Sequence, residues 1–501
     1  MRMKLLLSAA LLSLAGCSGG GGAAQSQGWS QFRDGVIEDW FKIDPAFAVY
    51  EGRHDFDGKF PDWSAAGLKT RATFLHNIVT KAKGFTGLSG NDALERDYMT
   101  KVAEGQLFWL EDADQPHHNP AWYVGALDPN VYMAREYAPL DVRMKAVTAF
   151  LKTVPVTAAS IRANLKAPMP KSFVKYGISA FGGFATAYPT DTVAAFASVK
   201  DEALQKDLKA AAAAAGKAMG DLRDWMKTLD AGATQDFALG PDRFSRMLLA
   251  TEAVDTPLDQ LEAVGKADLK RNQDALSAEC AKYAPGATIA ACMEKMNTTK
   301  PKDGPVKAAT EQIPELRDFV TKHDIVTIPG TEQALVHESP PYNRQNSAYI
   351  DPAGPYEKGV ASVYYISPPD PSWDAAKRAA YIPGEADLLF TTVHEVMPGH
   401  FLQFLHANRS TSMFGRLFVG YAFAEGWAHY SEEMMWEAGL RAGDPATHIG
   451  QLSNALLRNC RFLSAIGMHA RGMTQADSEK MFREQCYQDA GNAEQQAARG
   501  T

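Results

Sequence analysis

No apolar stretch in the chain reaches the roughly 18 residues that a membrane-spanning helix requires, which excludes a polytopic membrane protein. A basic excess is also missing, since 51 Lys+Arg face 59 Asp+Glu for a formal charge of -8. A general nucleic-acid binder, which needs a cationic surface to displace counterions, is therefore excluded. Cysteine is scarce, five in 501 residues, too few for a disulfide scaffold. None of the five stands in CxxC spacing, so no zinc knuckle is predicted. There is no internal repeat, and no long Ser/Pro-rich stretch divides the chain. What is present is the composition of a folded globular protein, 46% hydrophobic and 10% aromatic. At roughly 100–200 residues per domain, the length allows two to four units or one large helical body.

The first residues read as an address. Arg2 and Lys4 precede a short apolar run, Leu5–Ala15, which meets Gly16-Cys17. A basic start, an apolar core and small residues before a break describe a secretory signal. Leu14-Ala15-Gly16-Cys17 also resembles the bacterial lipobox, in which the cysteine becomes the lipidated N-terminus. Residues 1–17 are thus expected to be a lipoprotein signal with Cys17 as the lipidation site. The glycines after Ser18 predict a flexible tether over 18–28. Among lipoproteins, Ser after that Cys is compatible with outer-membrane sorting. The expected location is the periplasmic side of a bacterial envelope membrane, reached only through the anchor, and a monomer suffices there. In that oxidising compartment Cys280–Cys292 and Cys460–Cys486 are the natural local pairs. Four cysteines permit three pairings, and four buried thiols are the alternative.

Helical periodicity dominates the rest. Leu204, Leu208, Leu222, Trp225, Met226 and Leu229 recur at helical spacings over 201–229, around an Ala-rich centre that predicts a close-packing face. Similar patterns occupy 94–111, 140–153, 257–282 and 449–469. The run Val360–Ser367, bounded by Gly359 and Pro368-Pro369, is the best strand candidate. Its edge could pair with an extended peptide, or it could be an internal strand. The predicted fold is mainly α-helical with a small β-sheet. One catalytic unit is expected over 29–501, with an N-terminal helical lobe over about 29–240 and a C-terminal lobe over about 241–501.

The chemistry concentrates between 394 and 433. His394-Glu395-Val396-Met397-Pro398-Gly399-His400 ends an apolar helix that starts near Asp387. In zinc peptidases, His-Glu-x-x-His puts two imidazoles on one helical face with the Glu beside them as general base. Here the second His stands at i+6, which an ideal helix turns well off that face. Pro398 supplies a reason for a break, because it lacks an N–H and clashes with the preceding turn. Gly399 would then let His400 swing back. Glu425, His429 and Glu432/Glu433 follow at i, i+4 and i+7/i+8, so that one helical face offers further ligands. A carboxylate ligand from this helix completes a three-residue site that leaves a coordination position for water.

The pair His394-Glu395-Val396-Met397-Pro398-Gly399-His400-Phe401-Leu402-Gln403 and Glu425-Gly426-Trp427-Ala428-His429-Tyr430-Ser431-Glu432 resembles the bacterial domain-of-unknown-function 885 family. That family's hallmark is HExxPGHxxQ followed by EGWxxYxE. Asp44-Pro45, the stretch 54–62, Gly240-Pro241-Asp242-Arg243-Phe244 and Ile449-Gly450-Gln451-Leu452 extend the similarity along the chain. The resemblance implies a helical, gluzincin-like metallopeptidase with the small sheet beside the HExxPGH helix. It implies zinc held by His394, His400 and Glu425, with Glu395 activating a zinc-bound water for attack on a peptide carbonyl. His429 and Glu432 are expected beside the ligands, fixing them by hydrogen bonds. Tyr364, Tyr365 and Tyr430 are candidate oxyanion donors by their nearness in sequence, with packing as the alternative role. His117 and His118 read as part of a solvated loop.

The leading expectation is a zinc-dependent peptidase for short peptides. A zinc hydrolase of another amide or ester is the rival among enzymes, because the motif defines the activated water and not the acyl group. A non-catalytic helical lipoprotein that binds a partner is the rival from another class. The chain stops at Gly500-Thr501, whereas sequences of the resembling family usually continue into a segment containing Tyr and Gly, so a shortened carboxyl end is also an expectation.

Overall fold

Apolar residues at helical spacing dominate the sequence. The computed structural model, which describes residues 20–501, gathers them mainly into helices around one small sheet. The first half contributes α1 (Gly20–Ile43), α2 (Gly90–Leu107), α3 (Leu140–Asn164), α4 (Lys171–Ala187) and α5 (Glu202–Leu229). The Ala-rich centre of α5 packs as expected: Ala211, Ala212, Ala215 and Gly216 are buried between α3 and α4. A Cβ on Gly216 would lie 3.0 Å from the Ala185 carbonyl oxygen, so the small residues set how closely these helices approach.

Two expectations are corrected here. The apolar pattern of α3 is read only to residue 153, yet the helix runs through Pro155 to Asn164. Val154, Thr157, Ala158 and Ile161 are buried on the same stripe, and their burial outweighs the backbone bond lost at the proline. The tether expected over 18–28 is helical from Gly20 onward, as the first turns of α1. Trp29 anchors that helix, fully buried and donating its indole N–H to Glu95 at 3.0 Å. Once a turn is docked, extending the helix toward the N-terminus needs no new nucleation. The expected signal and lipidation site, Cys17 included, lie outside the described residues.

The second half contributes α6 (Leu258–Tyr283), α7 (Pro305–Lys322), a three-stranded sheet, then α8 (Glu385–Glu395), α9 (His400–Ala407), α10 (Tyr421–Glu437), α11 (Pro445–Ala470) and α12 (Ala490–Arg499). Asp444 caps α11, its carboxylate accepting from the Ala446 N–H at 3.0 Å, with Pro445 as the first helical residue. Most of α11 is buried, against α6 on one side and α8 on another. Both local cysteine pairs are disulfides: Cys280–Cys292 ties α6 to the helix Ile289–Thr298, and Cys460–Cys486 ties α11 to the segment after Gln475–Glu484.

The strands are β1 (Ala334–Glu338), β2 (Ala348–Asp351) and β3 (Ser362–Ile366), in the order β1-β3-β2. β3 runs parallel to β1 and antiparallel to β2, and all five of its residues are buried. The strand expected over 360–367 is therefore the internal one. It has no edge to offer a peptide, because Tyr364 already pairs with Val336 on one side and Ile350 on the other. A strand buried at every position belongs in the middle of a sheet, where both faces and both edges are covered.

One core cluster unites apolar residues from Trp29 to Met226 and takes in Tyr342, Phe414 and Leu417 from the second half. Three others collect residues between Phe244 and Ala493. The halves are also joined by a buried ion group, in which Arg135 meets Asp351 at 2.7 Å and Glu357 at 2.9 Å. Among the described residues, no helix is long and apolar enough to cross a membrane.

Candidate metal centre

α8 carries His394 and Glu395 on its last turn, and Leu388, Leu389, Phe390 and Val393 bury that helix in the core. The helix stops at Glu395 and a new one begins at His400. Between them the chain folds back on itself. The Val396 N–H bonds the Thr392 carbonyl at 2.9 Å, and the Gly399 N–H reaches the Val393 carbonyl at 3.0 Å. This tight return carries His400 back beside His394, with ring centroids 4.6 Å apart and nearly perpendicular. Gly399 is needed for a more specific reason than backbone freedom. A Cβ there would sit 1.9 Å from the His394 carbonyl oxygen, and the glycine's φ of -71° is not left-handed. The second motif clamps the break from outside, since the Trp427 indole N–H donates to the Pro398 carbonyl at 2.9 Å.

α10 brings Glu425 against the two imidazoles. Its Oε2 lies 3.5 Å from His394 Nε2 and 3.8 Å from His400 Nε2. One ligand atom from each of the three residues falls within 4.8 Å of the others. A tetrahedral zinc ion with bonds of about 2.1 Å needs ligand atoms about 3.4 Å apart, so two nitrogens and an oxygen at these separations fit such an ion. Two of the three ligands also have fitting protonation states. At the third, burial and Arg458 would lower His394, but its hydrogen bonds to Glu425 and Glu432 raise it, so metal binding there displaces a proton. Burial, and then the neighbouring His394, push His400 down to about 4, so its imidazole is neutral and can donate a lone pair. Burial alone would raise Glu425, but the hydrogen bond and charge of His394, then His400, hold it well below the usual carboxylate range. Glu395 is raised as well, by burial and by Glu425. It is 7% exposed and lines the same cleft without belonging to the trio.

Behind the trio stands a second layer. Glu432, fully buried, takes a hydrogen bond from His394 Nδ1 at 2.7 Å, which turns Nε2 toward the site. Arg458 on α11 balances that carboxylate at 3.1 Å. His429 is 3.5 Å from the other oxygen of Glu432, one step further out. Glu433 points away and pairs with Arg271 at 2.6 Å. We expect Glu432→Gln to weaken metal affinity by about 10–100-fold in chelator competition, because Arg458 loses its counter-charge and His394 a strong acceptor. Unchanged affinity would show that the ring is oriented by packing alone.

The three candidate tyrosines separate. Tyr364 on β3 is fully buried and lines the cleft beside Glu395, and its hydroxyl, near the Thr392 side chain, makes no hydrogen bond of good geometry. Tyr365 faces the other side of the sheet, where Asn130 donates to its hydroxyl at 2.8 Å. Tyr430 is exposed and lies outside the cleft. His117 and His118 end a short helical turn, Gln115–His118, with His118 Nδ1 at 3.0 Å from the Asp114 carbonyl, and take no part in the site.

A cleft of about 1340 Å³ opens over the trio. Its walls include β2 and α11, which the sequence reading left out. Arg458 and Arg461 are the residues missed. The available signal was a pair of arginines inside a helix whose neighbours Leu457, Asn459, Cys460 and Leu463 are all buried.

The family model described as "Bacterial protein of unknown function (DUF885)" matches residues 45–501. No curated protein matches the chain. Among solved structures, a candidate lipoprotein of unknown function from Shewanella oneidensis is similar at 23% identity, with a TM-score of 0.73, over 94% of this chain and 89% of that one. A candidate lipoprotein from Colwellia psychrerythraea is similar at 16% identity, with a TM-score of 0.76, over 95% and 89%. At these identities the likeness is one of fold.

Proposed function

We propose that this chain, which belongs to the DUF885 family of bacterial proteins, is a zinc-dependent peptidase of gluzincin type that hydrolyses short peptides. The observation that carries the reading is the convergence of His394, His400 and Glu425 within 4.8 Å, with the buried carboxylate of Glu395 in the same cleft. A bound zinc ion would supply a Lewis acid that polarises the scissile carbonyl and acidifies water. The remaining steps fall to the protein's own groups. Glu395, next to the first ligand, takes the proton of the attacking water and returns it to the leaving amine nitrogen. Glu432 and Arg458 keep the His394 ring aimed. Of the three tyrosines expected from the sequence, Tyr364 is the one that lines the cleft and could donate to a developing oxyanion. β2, the edge strand whose residues Ala348, Tyr349 and Ile350 line the cleft, takes the peptide-pairing role that β3 cannot.

The protein is further proposed to be a lipoprotein anchored through Cys17 on the periplasmic side of the envelope. The candidate lipoproteins of the same fold support this, as do two disulfides suited to an oxidising compartment.

The test joins metal analysis to a peptide-library digest. Protein prepared without chelator is expected to hold one zinc per chain and to cleave short peptides, and dialysis against a strong chelator should abolish cleavage until zinc is restored. Protein that neither holds nor takes up zinc would sink the enzyme reading. Turnover of esters or other amides, with peptides untouched, would keep the metal centre and replace the substrate.

A further inference from the structure

Charge around the cleft is unevenly satisfied. Arg458 is matched by Glu432 at 3.1 Å. Glu425 and Glu395 are matched once a divalent ion is in place. Among the described residues, three further guanidinium groups line the cleft without a carboxylate within 4.0 Å, Arg461, Arg483 and Arg499, and of these Arg461 and Arg499 stand beside Glu425 and Tyr421. Arg461, one turn along α11 from Arg458, donates Nε–H to the neutral amide oxygen of Gln496 at 2.7 Å. Arg499, at the end of α12, contacts only the Tyr421 hydroxyl at 3.4 Å. Among the described residues, neither has a carboxylate within 4.0 Å. Both line the cleft with Glu425 and Tyr421.

Burial, and then Arg499 and Arg458, pull Arg461 well below its ordinary value. Arg461 is half-buried and Arg499 exposed at the rim, so their like charges repel across partly solvated space, and an anion entering between them relieves that repulsion. A carboxylate is the anion that a guanidinium fork matches in shape. The distance also limits the ligand. A helical rise of about 4.5 Å separates Arg461 from Arg458, whose partner Glu432 touches a metal-ligating ring. A carboxylate held there lies within roughly one or two extended residues of the scissile bond.

We infer that Arg461 and Arg499, with Tyr421 at the mouth, form the subsite for a substrate carboxylate, and that the protein trims peptides from their carboxyl end. This rests on the peptidase reading above. The carboxylate could come from the chain terminus or from an Asp or Glu side chain, and the arms of the experiment separate these sources.

The probes are one N-blocked tetrapeptide as free acid, as C-terminal amide, and as an amide carrying Asp at the last position. Hydrolysis by the zinc-loaded protein is measured alongside calorimetric binding to the zinc-free protein. The free acid is expected to have a kcat/KM about tenfold or more above either amide, mostly through KM. Arg461→Gln should erase that preference, and Arg461→Lys should restore part of it, with circular dichroism confirming that both variants fold. Equal cleavage of acid and plain amide would overturn the inference while leaving the peptidase intact. An Asp-bearing amide cleaved as well as the free acid would overturn carboxyl-end trimming in favour of an acidic side chain. If nothing is hydrolysed, yet zinc-free protein binds the acid over the amide and Arg461→Gln abolishes the difference, the subsite stands and the peptidase reading falls.

Discussion

Replacing Glu395 by Gln is expected to cut peptide hydrolysis by about 10²–10⁴-fold while zinc stays bound at one per chain. The substitution keeps the side chain's size and removes only its ability to take a proton. Glu395 is not in the ligand trio, so a bound metal would keep all three of its proposed protein ligands. It is 7% exposed, so bulk water is a poor substitute for the missing base. Three measurements decide the matter together: kcat/KM on the best peptide from the library digest, metal content by mass spectrometry, and circular dichroism. Full activity in a folded, zinc-loaded variant would remove Glu395 from the mechanism.

The second large effect is expected at a residue with no chemistry of its own. Gly399→Ala should unseat the metal centre and destabilise the fold by about 3 kcal/mol or more. The added Cβ would fall 1.9 Å from the His394 carbonyl oxygen and 2.5 Å from that of Val393. Both are backbone atoms of the ligand-bearing helix and cannot rotate aside. The chain can accept the methyl group only by opening the return that places His400 beside His394, so zinc affinity and melting temperature should fall together. Gly426 is the internal control. It stands in the second motif, yet a Cβ there meets nothing within 4 Å. Gly426→Ala is therefore expected to keep the metal and to shift stability by no more than about 1 kcal/mol, in the stabilising direction. Equal damage from both would mean that the contacts at Gly399 are not what matters.

The contrast between these glycines shows how far the motif could be read. Both belong to the paired signature, and in sequence they look alike. Spacing alone made His400 a poor ligand, six positions after His394. The suspicion that Pro398 breaks the helix was sound, but the size of the return depended on contacts that no local pattern contains. The Gly399 N–H bonds the Val393 carbonyl, and the indole of Trp427, 29 residues on, holds Pro398 from outside. Glu432 was legible as a neighbour of the ligands because i+7 on a helix returns to the same face as Glu425. Arg458, which balances it, was not. It comes from a helix read only for its apolar stripe, and the stripe says nothing about which polar residue points into a neighbouring cleft.

The same division runs through the fold. Helices whose apolar spacing was regular, such as α5 and α6, begin and end within a few residues of expectation, because their periodicity and their burial are one property. Two segments escaped because burial elsewhere overruled local preference. Pro155 does not end α3, and the glycines after Ser18 continue as α1, whose Trp29 is docked in the core. The local cysteine pairs are close in sequence, which is why they were the natural choice among three pairings. By itself, then, the sequence determined the helical body, the residue types of the site and their assignment to one place, since these depend on periodicity and on donor chemistry. Only the tertiary structure decided which edge of the sheet lines the cleft, how His400 returns, and which arginines are left without a carboxylate. Those are properties of atoms far apart in the chain and close in space, and each was set by what packed around it.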